Sequence, residues 1–342
     1  MFLGRGTYGS VSVRDGLAYK KFHKLSHMVQ EYIAMKYLDD CKYTVKATSV
    51  DIPNLEIGME LYDMSLRDWM NKHPGPKATH ENKMKLLHDI LCGLVELHER
   101  GLVHGDIKPG NILVKCQPLK CVLGDLGFVS VARYAKVERT AAVYRDTIID
   151  HSYAHDIYSL GVIMLEMFGN LKIRIQADYD QLREISESEI SNKKMCKLIL
   201  AMVQKNHQKR PRAKDILHKL FDKTMDIRLP EMADISNIIS IRRQDEIENL
   251  IKTAAKLHDI KRCKRSLGAL LCYLNKMRPN KKSYHLCTVT MVMIASALFG
   301  KSGFTEDHVL KACRGKYSMH ELYIVLNSMI NDRDVIIALL LP

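Results

Sequence analysis

The residues with the clearest chemical potential are those at 104–111, with the sequence HGDIKPGN. Asp106 can accept a proton from an attacking hydroxyl group. Lys108 can neutralise the charge of a transferring phosphoryl group, and Asn111 offers an amide oxygen to a hard cation such as Mg²⁺. The opposing interpretation is an ordinary polar turn, punctuated by its Pro-Gly pair, whose charged side chains face water.

A second carboxylate follows at a spacing that favours chemistry. Asp125 opens an Asp-Leu-Gly triplet, just after the apolar residues 121–123. We expect these residues to form a strand that places Asp125 beside the first loop, as a second candidate metal ligand. An amphipathic helix predicted over residues 84–100 delivers the chain to that loop. Two loops with these residues and spacings are hard to explain as ordinary polar turns of the surface.

The composition is that of a globular, intracellular protein. The chain has 342 residues, enough for two domains, with 46% hydrophobic and 27% charged residues. Its apolar runs at 289–298 and 335–341 are shorter than the roughly 20 residues that span a bilayer, so we expect neither membrane insertion nor a signal peptide. The nine cysteines include no C-x-x-C pair, which favours reduced thiols over a zinc site or disulfides. We expect a location in the cytoplasm or nucleus, in a host cell if a virus encodes the chain.

The net charge of +13 would attract nucleic acid, anionic membranes or acidic proteins. A solvated, lysine-rich surface is the more common explanation. No basic block contains interleaved aromatic residues, so we do not expect nucleic acid as a partner.

A glycine-rich turn near the start of the chain can cradle phosphates. A G-x-G-x-x-G pattern occupies residues 4–9. No helix follows it and there is no G-K-[ST], which argues against a dinucleotide fold and a P-loop. A hairpin is the better interpretation, because glycines let backbone amides approach phosphate oxygens while flanking apolar strand residues sandwich a purine ring. The candidate nucleotide-binding residues of this hairpin are Leu3, Gly4, Arg5, Gly6, Thr7, Tyr8, Gly9 and Val11.

The next strand and helix supply a possible ion pair. Alternation in the strand places Ala18 and Lys20 on one face, with a small residue against the base and an ammonium toward the phosphates. Lys21 points the other way, although a slip of one residue would reverse this choice. A helix predicted over residues 26–38 carries Glu31, whose carboxylate can pair with Lys20 as a contact switched by helix rotation. An edge-strand lysine and a surface glutamate remain the alternative.

The ordered set of glycine turn, strand lysine, helix glutamate, H-x-D-x-K-x-x-N and D-x-G resembles eukaryotic-type protein kinases. The likeness extends to a D-x-x-S-x-G pattern at 156–161 and to Arg210-Pro211, and it covers residues 1–222. It implies an α+β, bilobal kinase fold, with a small β-rich N-lobe and a helical C-lobe.

The resemblance also implies an activity: transfer of phosphate from ATP, with Mg²⁺, to serine or threonine hydroxyls of protein substrates. The residues implied as catalytic are Asp106, Lys108, Lys20 and Glu31. Asn111 and Asp125 would hold the metal, and Ala18, Glu60 and Tyr62 would join the glycine turn in binding the nucleotide.

Within the kinases, the chain is most similar to the cyclin-dependent group. The glycine turn is similar to that group's G-E-G-T-Y-G, residues 31–38 to the end of its cyclin-binding helix, and Tyr144-Arg145 to its W-Y-R-A-P-E. The resemblance implies that Met59 is the gatekeeper, followed by a hinge over residues 60–62 that binds adenine.

Two departures from that group bear on regulation. Gly105 replaces the arginine that would grip a phosphorylated activation loop, and Lys136 stands where the activating threonine is expected. Together they predict a kinase that needs no activation-loop phosphorylation, so that substitution of Thr140, the nearest hydroxyl, leaves activity intact.

The A-P-E motif is also missing. Its glutamate would pair with Arg210, and Asp146 or Asp150 is a candidate substitute.

The C-terminal region resembles a single cyclin box. Helical patterns are predicted over residues 244–259, 266–277, 284–299, 305–313 and 318–330, the third being the buried central helix of a bundle. The likeness rests on LCYLNK at 271–276 and MIAS at 293–296. It predicts a kinase domain at 1–222, a linker at 223–242 and a cyclin-like domain at 243–342 that activates the kinase in cis.

Three alternatives remain open. The C-terminal region is equally compatible with a generic helical appendage. The whole chain is compatible with a pseudokinase scaffold that presents a helical partner-binding module, an interpretation favoured by the missing A-P-E glutamate and the short stretch before the glycine turn. A small-molecule kinase of similar fold is disfavoured by the D-x-x-S-x-G pattern and Arg210.

Overall fold

The computed structural model of the protein divides into two compact units that do not follow the linear order of the chain. It describes residues 2–6, 8–73, 78–131, 142–144, 152–174, 176–227, 229 and 318–340, together with the separate residues 269, 273, 286, 287, 289–291, 293, 294 and 298. The first unit comprises Met1–Asp39, Lys46–Leu61 and Leu229–Leu341; the second comprises Asp40–Val45 and Tyr62–Arg228, with Pro342. The C-terminal region thus belongs to the same unit as the first strands.

The described strands are β1 (Phe2–Arg5), β2 (Gly9–Arg14), β3 (Leu17–Phe22), β4 (Ala47–Asp51), β5 (Glu56–Glu60), β6 (Met64–Ser65), β7 (Leu102–Val103), β8 (Ile112–Cys116), β9 (Leu119–Leu123) and β10 (Ser130–Val131). The described helices with assigned bounds are α1 (Leu25–Tyr37), α2 (Leu66–Lys72), α3 (His80–Glu99), α4 (Tyr153–Gly169), α5 (Tyr179–Glu189), α6 (Lys193–Val203), α7 (Ala213–Phe221), α8 (Met319–Ile330) and α9 (Arg333–Leu340). None of the described helices is long and apolar enough to cross a membrane.

The first unit is built on an antiparallel sheet in the order β1-β2-β3-β5-β4. Asp15 and Gly16 join β2 to β3 with φ angles of 49° and 76°. An Asp-Gly pair suits this two-residue hairpin because both positions require positive φ. The register places Lys20 of β3 opposite Val11 on one side and Ile57 on the other.

Helix α1 is buried on several faces, because it packs both against the sheet and against α8 and α9. Its buried residues are Leu25, Met28, Val29, Glu31, Tyr32, Ile33, Ala34, Met35 and Tyr37. A helix that is apolar around most of its circumference needs partners on more than one side. In this unit the C-terminal helices supply the second partner.

Helix α9 was not predicted, since residues 335–341 stood out in the sequence only as an apolar run too short to cross a membrane. Its N-terminus is capped by Asp332, whose Oδ1 accepts hydrogen bonds from the backbone amides of Asp334 and Val335. By contrast, α8 falls within the predicted range 318–330 and opens with a capping box, as the Ser318-x-x-Glu321 pattern of the sequence indicates. Of the predicted central helix, the described residues are helical, and Leu286, Met291 and Ile294 among them are buried.

The second unit is mainly helical. Helix α3 packs against β9 and α7, and α4 packs against α6. The Ser65-x-x-Asp68 pattern of the sequence is typical of a capping box, and such a box opens α2. Helix α3 begins at His80, earlier than predicted, because Thr79 caps it by accepting the amide hydrogen of Asn82. The predicted helices over 244–259 and 305–313 lie outside the described residues.

Candidate active site

The loop between β7 and β8 buries a carboxylate and leaves one of its oxygens available. Asp106 is 1% exposed. Its Oδ2 accepts hydrogen bonds from Lys108 Nζ at 2.6 Å and from Asn111 Nδ2 at 2.8 Å. Its Oδ1 has no hydrogen-bond partner among the described residues. The carboxylate is therefore fixed through one oxygen, while the other can accept a proton.

The environment of Asp106 favours its protonated form. Burial raises the pKa of this carboxyl, the charge of Asp125 raises it further, and Lys108 lowers it by its charge and its hydrogen bond. Burial is the largest of these influences. A raised pKa brings a carboxylate closer to the strength required of a general base near neutral pH.

We expect the substitution Lys108→Met to shift the pH dependence of phosphate transfer. As the predicted general base, Asp106 would act only when deprotonated, so the rate would rise as the pH passes through its pKa. Because Lys108 lowers this pKa, its removal should move the acidic limb of the kcat profile to higher pH. A pH–rate profile measures this, with the exposed Lys120→Met as the control. An acidic limb that stays in place or moves to lower pH would contradict the assignment of Asp106 as the general base.

Asn111 and Asp125 fit the oxygen ligands of a hard cation. The amide nitrogen of Asn111 donates to the backbone oxygen of Asp106 at 2.9 Å as well as to its carboxylate, so the amide oxygen faces away from Asp106. Gly124 N donates to Asn111 O at 2.8 Å, which holds the two loops together. Asp125 has a φ of 53°, in the left-handed region that is uncommon for non-glycine residues. Mg²⁺ typically takes one or two such ligands together with substrate phosphates.

A side chain of α4 binds the backbone of the loop at 104–111. Asp156 is fully buried and accepts hydrogen bonds from the backbone amides of His104, at 2.8 Å, and Gly105, at 2.9 Å. His98 Nε2 lies 3.0 Å from the same carboxylate. Burial alone would raise the pKa of Asp156, but the hydrogen bond and charge of His98 and the charge of His104 are among the influences that lower it to about 2. The spacing of the apolar residues along α3 places His98 on the apolar face of that helix, which gives no sign of this polar role.

The backbone of Gly105 has a φ of 79°. This is the left-handed region, which glycine adopts without the steric penalty of other residues. A residue with a Cβ at position 105 would therefore strain the backbone if it kept this φ.

We expect Gly105→Ala and Gly105→Arg to destabilise the protein by about 1–2 kcal/mol. Urea unfolding measures this change. Gly110→Ala is the matched control, because it lies in the same loop, its φ is not in the left-handed region, and a Cβ there would meet no atom within 4 Å. Equal unfolding midpoints for the variants at the two positions would show that the φ of Gly105 carries no strain.

In the first unit, Lys20 and Glu31 form the predicted ion pair. Lys20 Nζ lies 2.6 Å from Glu31 Oε2, with the two side chains 13% and 3% exposed. Ala18 is buried and pairs with Met59 of β5, whereas Lys21 is exposed. Geometry thus places the ammonium of Lys20 on the side predicted from the alternation of the strand.

The glycine turn has open space where a ligand would approach. Gly6 N donates to Gly9 O at 2.8 Å and closes the turn. A Cβ at Gly9 would lie 2.0 Å from Lys21 O, so only glycine fits there. A Cβ at Gly4 would meet nothing within 4 Å, and one at Gly6 would meet only the oxygen of Gly9 at 3.9 Å. These positions leave room for phosphate groups near backbone amides.

The remaining predicted nucleotide-binding residues of the glycine turn differ in their exposure and contacts. Leu3 is 49% exposed, and Val11 is partly buried. The ring of Tyr8 packs edge-on against His27 of α1, with centroids 4.8 Å apart. Thr7 lies outside the described residues, as does the side chain of Arg5.

Of the predicted hinge, Glu60 ends β5 in the first unit and Tyr62 begins the longer segment of the second. The ammonium of Lys115 lies 5.8 Å from the centroid of the Tyr62 ring. The binding of adenine by these residues stays a prediction.

Arg210 has partners even though the A-P-E glutamate is missing. Its guanidinium donates to the backbone oxygens of Gln204 and Ala154 and lies 5.0 Å from the centroid of the Tyr158 ring. Main-chain carbonyls therefore bind several of its donors. The residues predicted to substitute for that glutamate or to replace the phosphorylated site, Asp146, Asp150, Lys136 and Thr140, lie outside the described residues.

Comparison with known proteins decides the family. The model of the protein kinase domain matches residues 2–229. The chain belongs to this family. A Wee1-like protein kinase of Arabidopsis thaliana is 29% identical over 181 residues, 49% of this chain and 35% of that protein. Its counterpart in Oryza sativa subsp. japonica is 32% identical over 181 residues, 49% and 33% of the two chains. Human mitogen-activated protein kinase 13 is 30% identical over 188 residues, 47% and 50% of the two chains.

The family match confirms the predicted protein kinase domain, with its β-rich and helical parts, and the predicted class of enzyme. This class uses ATP and a divalent metal. The matched regions span about a third of the Wee1-like relatives and half of the mitogen-activated kinase. The likeness to the cyclin-dependent group, the cyclin box, the domain boundaries and the choice of Mg²⁺ stay predictions.

Proposed function

We propose that this chain is an ATP-dependent protein kinase that transfers the γ-phosphoryl group to serine or threonine hydroxyls of protein substrates. The observation that carries the proposal is the state of Asp106, a buried carboxylate with one oxygen held by Lys108 and Asn111 and the other without a described partner. A polar turn of the surface would not bury a carboxylate in this way. The Asp106-x-Lys108 spacing resembles that of serine/threonine kinases.

In this mechanism Asp106 Oδ1 receives the proton of the acceptor hydroxyl as its oxygen attacks the γ-phosphorus, the bond to the β-phosphate oxygen breaks and ADP leaves. Lys108, which already contacts the other oxygen, neutralises charge on the transferring group. Lys20, held by Glu31, binds the phosphates of ATP. Asn111 and Asp125 would hold Mg²⁺, which supplies positive charge to the phosphate oxygens.

A library of serine, threonine and tyrosine peptides tests this activity with the full chain and labelled ATP. We expect label on serine and threonine. Transfer to tyrosine alone would overturn the acceptor class. Absence of transfer to any peptide or protein pool would instead favour the pseudokinase scaffold.

The proposed kinase works without a phosphorylated activation loop. Its catalytic loop is held by Asp156, which contacts the amides of His104 and Gly105, and Gly105 offers no side chain to grip a phosphate. These contacts support the prediction that substitution of Thr140 leaves activity intact.

We further propose that the C-terminal helices act as a cyclin-like activator in cis. Tyr32, the neighbour of Glu31 on α1, donates its hydroxyl hydrogen to Asn331 Oδ1 at 2.6 Å. Asn331 joins α8 to α9 and is held by the backbone oxygen of Asn327 at 2.8 Å. Burial raises the pKa of Tyr32, so the phenol stays protonated as a donor. These contacts hold α1 in the position where Glu31 pairs with Lys20, and the tether keeps the activator at high effective concentration.

We expect Tyr32→Phe and Asn331→Ala each to lower the transfer rate by about fivefold to tenfold, the worth of one hydrogen bond. The double variant should be no worse than the poorer single variant, because both remove the same contact. Steady-state kinetics measure the effect, with Tyr19→Phe as a control on the sheet. Fully additive losses would show that the two residues act separately.

A further inference from the structure

The second unit carries a basic stretch that the proposed mechanism does not use. Between Glu189 and Asp215 the sequence contains no acidic residue and eight basic ones, Lys193, Lys194, Lys197, Lys205, Lys209, Arg210, Arg212 and Lys214. All of them except Arg210 are exposed. The stretch covers α6, the turn after it and the start of α7, so these elements present a local concentration of positive charge to solvent.

The lysines at the start of α6 oppose the charge preference of a helix N-terminus. Lys193, Lys194 and Lys197 lie near that end, and the first turn contains no acidic residue. A helix N-terminus carries partial positive charge, so cations there are unfavourable. Asn192 Oδ1 already accepts the amide hydrogens of Lys194 and Met195, at 3.0 and 3.1 Å. The lysine side chains, and not the backbone amides, are therefore the groups that an anion would meet.

One side of α6 is apolar and buried, whereas the other carries the lysines. The helix packs against α4. Its buried residues are Met195, Cys196, Leu198, Ile199, Met202 and Val203. On the other side, Lys197 neighbours Lys194 in the preceding turn, and Leu200 and Ala201, both partly buried, in the following turn. Lys205 comes just after the end of the helix. We call Lys194, Lys197, Leu200, Ala201 and Lys205 the basic stripe.

The charges of the basic stripe are available to a ligand. Among the described residues, neither Lys194 nor Lys197 has an acidic side chain within ion-pair distance. Lys205 pairs with Asp180 at 3.1 Å, but the two side chains are 69% and 70% exposed. Ion pairs with this exposure contribute little, so a ligand carboxylate can replace Asp180 without a large loss.

The chemistry of the basic stripe favours a peptide over nucleic acid. Helix α6 contains no arginine and no aromatic residue, the side chains on which nucleic-acid bases stack. Its apolar centre instead suits an apolar side chain, and the lysines at its two ends suit carboxylates. The rise of a helix puts Lys194 and Lys205 about 16 Å apart, the length of about five residues of extended chain.

We propose that the basic stripe binds an extended acidic segment of a protein partner, with carboxylates at both ends of the segment and an apolar side chain at its centre. The carboxylates pair with Lys194 and Lys197 at one end and with Lys205 at the other. The apolar side chain packs on Leu200 and Ala201. Binding requires neither ATP nor phosphate transfer, so this inference stands or falls separately from the proposed activity.

Fluorescence anisotropy with the full chain tests this proposal. The probe is a short labelled peptide with glutamates on both sides of a central leucine. Lys194→Gln/Lys197→Gln/Lys205→Gln should weaken its binding by about tenfold to a hundredfold, because each exposed ion pair contributes about twofold to fivefold. Added salt should also weaken binding to the unaltered chain. A peptide that does not bind the unaltered chain even at low salt would overturn the proposal.

The matched control is Lys72→Gln/Lys120→Gln/Lys172→Gln, which removes the same charge from exposed lysines elsewhere in the second unit. This control should bind the peptide as the unaltered chain does. Equal weakening in the two triple variants would overturn the proposal, since it would trace the binding to the net charge of the chain and not to the basic stripe.

Charge reversal and two other anions complete the test. Lys194→Glu/Lys197→Glu/Lys205→Glu should bind a peptide with lysines in place of the glutamates, and failure to do so would contradict direct pairing at the basic stripe. A mixed-sequence single-stranded oligonucleotide and phosphatidylserine vesicles should bind the unaltered chain more weakly than the peptide. Tighter binding of either, lost in the glutamine variant of the basic stripe, would overturn the assignment to an acidic protein segment.

Discussion

Phosphate transfer by the Asp106→Asn variant should be slower than that of the unaltered chain by about 10²- to 10⁴-fold, the usual contribution of a general base. The asparagine retains a side-chain oxygen for Lys108 but cannot accept the hydroxyl proton. Because the shape of the side chain is preserved, the variant should fold normally and still bind ATP.

Single-turnover transfer to a serine peptide measures this loss, and ATP binding and thermal unfolding are followed in parallel. Asp222→Asn is the matched control, since it makes the same chemical change at an exposed side chain of the same unit. Transfer by Asp106→Asn at the rate of the unaltered chain would show that this carboxylate is not the base.

Lys20→Met should lower the transfer rate by about 10²- to 10³-fold, as expected when a charged group is removed from a developing transition state. It should also destabilise the protein by about 3–5 kcal/mol, because it leaves the buried carboxylate of Glu31 without its cation. Both effects follow from the 2.6 Å pair and from the low exposure of both side chains.

The matched control for this prediction is Lys21→Met. Lys21 is the next residue on the same strand, but it is exposed on the opposite face. The double variant Lys20→Met/Glu31→Gln should recover stability without recovering activity, since it removes the buried charge of Glu31 but does not restore the ammonium. A larger loss of activity from Lys21→Met than from Lys20→Met would show that Lys21, and not Lys20, serves the proposed site.

Local patterns in the sequence were sufficient to predict several of the strands and helices. Alternation in β3 placed Lys20 and Lys21 on opposite faces, and the capping boxes at Ser65 and Ser318 marked the starts of α2 and α8. Such features depend on residues within a few positions of one another, so a single sequence reveals them.

Features that depend on distant parts of the chain could not be predicted in the same way. Nothing near His98 in the sequence indicates its contact with Asp156, and the hydrogen bonds of Glu166 to Arg67 and Tyr144 join three separate segments. Helix α9 was missed because a short apolar run fits a strand as well as a helix, and its cap lies just outside the run. The positive φ of Gly105 likewise appears only once the backbone is known.

The most direct test of the account is phosphate transfer by the full chain after phosphatase treatment, with mass spectrometry to show that no phosphate remains on it. Transfer to a serine or threonine peptide should proceed from the first turnover at the rate of the untreated protein. Activity that is lost on dephosphorylation, or that appears only after a lag in which the chain phosphorylates itself, would contradict a catalytic loop that is positioned without phosphate.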